Sequence, residues 1–524
     1  TASNNTSASN VAIGCKALQG VTSGANNIAL GEAAGMCITS GSSNFAAGYA
    51  MRGATVTGAA NHALGYYALN LITSGACNIA IGRQAGQSIN TGAQNIFLGS
   101  NAGDADNDGN FQIFIGCGSG LYMQGDTNIG LGFRALSGSS TPSNNSGTNN
   151  VAIGKYALNL ITSGGCNVAL GQQSSGKLTS GSYNFTGGYQ AGYELTTGMN
   201  NIFLGRGAGH YSTTNTSSTF LGYSAGMCNR GDYNIAIGNA SLKGHGTVTN
   251  NTGGSNVSLG NAAGFCLSSG SENIFMGCHA GRKLTTGGKN VFIGYQAGCS
   301  SVGSNDNIAI GRQSMNAVTG NGGCNIFLGS YTGKSIAAGI DNIGMGVNAG
   351  CLINDGKNNI FLGRHAGDNV TSGDANIAIG CGVDPASATG DAQLAIGCGT
   401  NRWLTGDSSY HIKPGAGIRD NTDSLGTSGQ VLQSTGSAVV WAASSGGGSG
   451  DFNVGLTSSL VANPTGVGVT VLSLPSTSGK SYTIESIHVS NVATGNTETN
   501  IIAAFEMNGG DTSYFAYNVP VPTG

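Results

Sequence analysis

NIAIGRQAGQSINTGAQNIFLG, from Asn78 to Gly99, contains the same motif twice: asparagine, an aliphatic residue, a small or aromatic residue, a second aliphatic residue and glycine. The motif recurs about every 17 residues, from NVAIG at Asn10–Gly14 to QLAIG at Gln393–Gly397, and we count 23 copies. Such a period makes each copy one coil of a solenoid. A single coil cannot bury its own apolar face and is stabilised by stacking on its neighbours.

Numbering the motif asparagine as position 1, the coil reads N-I-(A/F)-(I/L)-G-x-x-A-G-x-x-(L/I)-T-(S/T)-G-x-x. Positions 2 and 4 are aliphatic, as in Ile79 and Ile81 or Ile360 and Leu362, and a spacing of two puts both on one face of a strand. That face is expected to point into the coil. Glycine near positions 5, 9 and 15 is expected to supply corners with positive φ. Alanine at position 8 (Ala34, Ala85, Ala208, Ala280) suits a tight inner corner. The asparagines are expected to stack into a ladder of side-chain amides bonded from coil to coil. Position 3 is then expected to face outward, yet it is Ala or Phe: Phe97, Phe114, Phe203, Phe275, Phe292, Phe327 and Phe361 are the large ones. A strand apolar on both faces is covered on both. An identical chain would be the simplest cover, so these phenylalanines are expected to form the interface of a homotrimer. Among the seven prolines only Pro142 precedes residue 385, which keeps the ring out of the ladders.

Composition limits the function. Charged residues are 8% of the chain and the net charge is −3 with no basic run, so nothing marks a nucleic-acid surface. No apolar stretch is long enough to span a membrane, and membrane insertion is not expected. No leader is visible at Thr1, which implies either that one was removed or that the chain is part of a longer protein. The 13 cysteines include no CxxC pair, which argues against zinc. They fall at position 6, at positions 10 or 11, or just before the motif asparagine. Small thiols filling corners is one reading and cross-linking between coils is the other. Cys381 and Cys398 stand one coil apart, about 4.8 Å, within reach of a disulfide.

Two coils are long. Asn128 to Asn150 and Asn234 to Asn256 each add a loop, and the two recur 106 residues apart. Insertions in solenoids map to loops on one face and often carry binding, so Pro142, Asn144, His245 and Asn250 are candidate receptor contacts. Neutral drift in a tolerant loop is the competing reading. Asp104, Asp106 and Asp108 spell D-x-D-x-D-G, the opening of a calcium loop. The acid expected at the twelfth place is Ile115, so calcium competes there with a solvated acidic corner; no other cofactor is suggested. After Gly397 the rhythm stops, and Trp403 is expected to plug the end of the stack. The expected division is a solenoid over 1–397, a capping segment and hairpin over 398–443, a Gly/Ser linker over 444–450, and an antiparallel β-sandwich-like domain over 451–524. The fold class is therefore all-β, a parallel β-solenoid or β-roll followed by a small antiparallel β-domain.

GYYALNLITSGACNIAIG (Gly65–Gly82) and GKYALNLITSGGCNVALG (Gly154–Gly171) resemble the NTALGYQAL-type repeats of bacteriophage tail fibres. They are similar, less closely, to the NSVAIG repeats of trimeric autotransporter adhesin heads. QVLQSTGSAVVW and the C-terminal segment resemble modules of structural proteins of marine cyanobacterial phages. The resemblance implies a trimeric fibre in the virion, assembled in the host cytoplasm. Its expected partners are itself, other tail or baseplate proteins and a host surface glycan. A bacterial surface adhesin or extracellular matrix filament is the alternative. An enzyme is not expected, because the coils offer almost no paired carboxylates. The threonines at position 13 (Thr73, Thr162, Thr179, Thr196, Thr285) form too narrow an array for an ice-binding face.

Overall fold

The computed structural model describes residues 8–105, 108–141, 144–246, 250–317, 320, 322–419, 422–427, 430–435, 438–443, 499–506 and 512–521. Every motif forms one short strand, from β1 (Val11–Ile13) to β23 (Leu394–Cys398). Neighbouring strands are parallel and aligned motif on motif: Ile79 lies opposite Ile96, Ala80 opposite Phe97 and Ile81 opposite Leu98. The backbone bonds run between coils, for example Ile79 N–H to Asn95 O at 2.8 Å and Gly82 N–H to Leu64 O at 2.8 Å. With 22 steps at ~4.8 Å the stack is about 105 Å long.

The asparagine ladder forms as expected. Asn61 Oδ1 accepts from both the backbone N–H (3.0 Å) and the side-chain Nδ2 (3.0 Å) of Asn78. Asn78 Nδ2 also donates to Gly92 O at 2.9 Å, near the end of its own coil. The side chain thus fastens one coil to the next while satisfying a carbonyl at the bend. These asparagines are almost wholly buried, where an unpaired amide costs about 1–3 kcal/mol.

The two faces of the strand are the reverse of the expectation. Position 3 points inward: Ala80, Phe97, Phe114, Phe203, Phe275, Phe292, Phe327 and Phe361 are completely buried within the single chain. They cannot be the surface of an interface. Positions 2 and 4 point outward, and Ile79, Ile81, Ile237 and Ile310 are exposed. The physical reason is room. Each coil is narrow, and its interior already holds positions 8 and 12, such as Ala85 and Ile89. Only one more strand side chain fits, and position 9 sets its size. Where position 3 is Phe, position 9 is glycine, and a Cβ on that glycine would collide with the ring. The distance is 2.6 Å at Gly103 against Phe97, and 2.2 Å at Gly367 against Phe361. Where position 3 is Ala, a larger residue can take that space, as in Ala63 with Leu69, Ala152 with Leu158 and Ala309 with Met315, all six wholly buried. In these coils volume is conserved, the condition under which core exchanges are tolerated. Where both positions are small, as in Ala80 with Gly86 or Gly344 with Gly350, a phenylalanine of the adjacent coil fills the space, its ring 2.6 Å from a Cβ on Gly86 and 2.5 Å from one on Gly350.

Glycine serves two purposes at the corners. At positions 5 and 9 φ is positive, as in Gly82 (132°) and Gly86 (56°). At position 15 φ is not positive, and the requirement is close approach: a Cβ on Gly92 would lie 2.3 Å from Gly109 O in the next coil.

The stack ends by reversing direction. β24 (Asn401–Gly406) pairs antiparallel with β23, and β25 (Ile412–Pro414) pairs antiparallel with β24. Trp403 does not plug the end; it lies on β24 and is 71% exposed. The chain divides into two compact units, 1–426 with 434–440, and 427–433 with 441–524. β26 (Gln430–Ser434) and β27 (Val439–Ala443) form a separate two-stranded sheet, the expected hairpin. β28 (Thr499–Glu506) pairs antiparallel with β29 (Thr512–Val521). The rest of the expected sandwich, and the linker over 444–450, lie outside the described residues.

Candidate functional site

The sheet surface, two loops and one corner of the stack carry what this fold can offer to a partner. The sheet surface presents positions 2 and 4 of successive coils, including Ile79, Ile81, Ile202, Ile235, Ile237 and Ile274, all exposed. Exposed aliphatics in isolation are ordinary, but a continuous stripe of them marks an interaction surface.

The two long coils are built alike. In the first, Asn145 accepts from Ser139 N–H (3.1 Å) and donates to Ser139 O (2.7 Å). In the second, Asn251 accepts from His245 N–H (3.0 Å) and donates to His245 O (2.9 Å). Asn145 and Asn251 are fully buried. Both the anchor and its partner are displaced by the same 106 residues. Asn144, His245 and Asn250 are exposed at these loops, and Pro142 lies outside the described residues.

Position 6, at the corner after the strand, carries aromatic or cationic side chains in about half of the coils, a feature visible in the sequence but outside any catalytic or metal motif. Tyr49 stacks on Tyr66 at 5.6 Å, and the Arg206 guanidinium lies 5.7 Å from the Tyr189 ring and 5.8 Å from the Tyr223 ring. A shallow groove of about 520 Å³ lies on the same side, bordered by Tyr331, Lys334, Asn348, His365 and Asp368. Its His365 Nδ1 is 2.7 Å from Asp368 Oδ2.

The aspartates of the calcium-like sequence bond in different directions. Asp104 accepts from Asn101 Nδ2 at 2.9 Å within its own turn, and burial raises its carboxyl above the ordinary range. Asp108 accepts from Thr91 of the preceding coil. Asp106 lies outside the described residues, and among the described residues no three His, Cys, Asp or Glu side chains are grouped to hold a metal.

All 13 cysteines are free thiols, Cys381 and Cys398 included. They do not act uniformly as corner filling. Cys15, Cys77, Cys117, Cys166, Cys324, Cys381 and Cys398 are exposed, whereas Cys299 is buried and burial raises its thiol above the ordinary value. The position-13 threonines are tied into the stack, as Thr162 Oγ1 donates to Thr179 O at 3.0 Å and Thr285 Oγ1 to Val302 O at 3.0 Å. No family model matches the chain, and no curated protein or solved structure is similar to it.

Proposed function

We propose that the chain is the shaft of a virion tail fibre that contacts a host surface glycan. The observation that carries this reading is the pair of identically anchored loops on an otherwise uniform stack. Uniform coils supply reach without chemistry, and a loop design used twice supplies a repeated contact. Two equivalent contacts on one rigid support raise avidity without any new type of interaction. Exposed Asn, Ser, Thr and Tyr groups at the corners suit hydrogen bonding and stacking against sugar rings. The fibre is a homotrimer, with the aliphatic stripe of positions 2 and 4 turned towards the other chains. It is not an enzyme. The seven exposed thiols favour assembly in a reducing cytoplasm over secretion as an adhesin.

The test is adsorption to host cells or glycan arrays with three deletions. Removing the extra residues from both long coils takes away both linked contacts of each chain and should weaken binding by about a hundredfold or more. Removing whole coils between Asn273 and Asn342 should shorten the stack and leave binding intact. Loss of binding only on truncation after Gly450 would move the receptor contact to the C-terminal segment. Binding that survives both loop deletions and that truncation would refute the loop reading.

A further inference from the structure

Positions 6 to 11, which follow the strand and its corner, collect the positive charge of the stack. Of the 16 lysines and arginines between Asn10 and Cys398, 13 fall there, against 5 of the 15 acids. The sequence has no basic run because these cations are far apart along the chain; folding stacks them. They share one surface with exposed tyrosines. The Tyr331 ring (position 7) has the Arg312 guanidinium (position 6) and the Lys334 ammonium (position 10) each 5.4 Å from its centre. Arg206 stands between Tyr189 and Tyr223, which are 42% and 51% exposed. Every cation–ring contact among the described residues lies on this surface. The shallow groove bordered by Tyr331, Lys334, Asn348 and His365 lies on it too, with room for a sugar ring.

Several acids are used within the chain, whereas the cations lack acidic partners. Asp126, Asp232, Asp374 and Asp391 each accept a backbone N–H of the preceding coil, at 2.7 or 2.8 Å. Of the 13 cations only Lys177 forms an ion pair among the described residues, with Glu194 at 2.8 Å. The corner does not require a cation, since Ser100, Gln172 and Asn239 hold position 6 in other coils. Spacing indicates the partner. Arg134, Lys177, Arg206, Lys243, Arg282 and Arg312 lie on every second coil, about 9.6 Å apart along the stack, and Lys155 alone falls on a coil between them. Duplex DNA carries a charge every ~1.7 Å and one strand every ~3.4 Å, far denser than this surface can meet. A polysaccharide with one carboxylate per disaccharide repeats its charge at about the two-coil interval. Its sugar rings also present C–H faces that can rest on exposed tyrosines. A second copy of this chain is the poorer match, because acids that it would offer already cap its own backbone.

We propose that positions 6 to 11 dock an acidic polysaccharide lying along the stack, its carboxylates meeting the arginines and lysines while its sugar rings rest on the tyrosines. This rests on the fibre reading only for a glycan partner. It adds the charge class of that glycan and a surface separate from the two loops. Each contact is exposed and weak, so attachment comes from many of them along one polymer. Attachment of this kind is broken by salt and can slide, which holds a fibre near a coated cell while the loops make the lasting contact.

The experiment titrates the whole chain with hyaluronan, which carries one carboxylate per disaccharide, and with neutral dextran and single-stranded DNA, at low, physiological and high salt. Hyaluronan should bind at low and physiological salt, more tightly than DNA of equal length, and be released at high salt; dextran should not bind. Arg206→Gln, Arg282→Gln and Arg312→Gln together should weaken hyaluronan binding by about tenfold, as three exposed ion pairs are lost. Glutamine is admissible there because Gln172 and Gln87 already hold the equivalent positions. Tyr189→Ser with Tyr223→Ser should weaken hyaluronan binding severalfold. Lys289→Gln with Lys357→Gln, which removes charge from elsewhere in the coil, should leave it unchanged. Deleting the extra residues of both long coils should weaken host adsorption and leave hyaluronan binding intact, so the two readings fail separately. The proposal is overturned if the wild type does not bind hyaluronan, if DNA binds more tightly, or if the triple variant binds like the wild type. It is also overturned if the triple variant lowers the mass of an assembly in native mass spectrometry and not the affinity for the polymer.

Discussion

Exchanging the contents of one coil for those of another should show that the interior is specified by total volume. Phe361 is suited to this because its neighbours at position 3 are Gly344 and Ala378, so no stacked ring complicates the outcome. Phe361→Ala removes a wholly buried ring and should cost about 3–5 kcal/mol. Gly367→Leu alone places a Cβ 2.2 Å from the ring and should cost about 1–3 kcal/mol or more through overpacking. The backbone does not forbid leucine, since Leu158 and Leu242 hold the equivalent position at φ 46° and 49°. Left-handed leucine in place of glycine retains a cost of about 1–2 kcal/mol. The double variant reproduces the Ala152–Leu158 pairing and should lie within about 2 kcal/mol of the wild type, so the two changes are far from additive.

A stack of coils need not unfold in one step, so the measurement is local hydrogen exchange read by mass spectrometry. The informative amides are those joining the coil to the next, Ile360 N–H to Asn376 O and Ile377 N–H to Gln393 O, both 2.8 Å. At about 1.4 kcal/mol per tenfold, Phe361→Ala should accelerate their exchange by about two to three and a half orders of magnitude. The double variant should recover most of that protection. Additive losses in the double variant would refute volume compensation. Unchanged exchange in Phe361→Ala, accompanied by weaker association of chains, would refute the inward placement of the ring.

Other consequences can be checked independently. Asn290→Ala leaves Asn307 N–H and Ser304 O without the partners they have now (3.1 and 2.8 Å), and should cost about 1–3 kcal/mol for each orphaned group, read as faster exchange in those two coils. Under native alkylation, Cys117 and Cys166 should react quickly and Cys299 should react only after denaturation, as its burial and raised thiol dictate. Burial raises the Asp104 carboxyl, so the stability it contributes is present at low pH and is lost as pH rises past the ordinary 3.8 through the raised value; Asp104→Asn should therefore raise the melting temperature at pH 7. Burial lowers the His210 pKa, so the unfolded chain takes up its proton first as pH falls below 6.5. Acidification should destabilise the wild type, and His210→Gln should reduce that loss in a pH series of thermal melts.

The period, the strand in each coil and the asparagine ladder were legible in the sequence because each is a property of one chain position repeated. The direction of each face was not, for a definable reason. Alternation separates Ile79 and Ile81 from Ala80, but it is symmetric with respect to inside and outside when both sets are apolar. The information that breaks the symmetry lies in the relation between positions 3 and 9: phenylalanine with glycine in one coil, alanine with leucine in another. Such compensation is expected between side chains sharing a closed volume, whereas positions 2 and 4 stay aliphatic in most coils, with Phe45–Ala47 and Phe185–Gly187 as departures. Likewise, the residue content of the long coils showed two insertions, but only the paired bonds from Asn145 and Asn251 showed that they are one design. Trp403 was misplaced because the end of the stack is closed by backbone pairing with β24, which makes no demand on side-chain bulk.

Reversing the faces moves the surface that needs covering without removing the need. With phenylalanine outside, the exposed surface would vary from coil to coil, large at Phe97 and small at Ala80, and a partner would have to match each step. With positions 2 and 4 outside, most coils offer nearly the same pair of aliphatic side chains, the departures being Phe45 with Ala47, His62, Phe185 with Gly187, and Thr219, so the apolar contact itself is only weakly sensitive to sliding by one coil. A uniform stripe supplies attraction without alignment. The buried side chains at positions 3, 8, 9 and 12 therefore settle the fold of each coil, and the exposed pair at positions 2 and 4 does not.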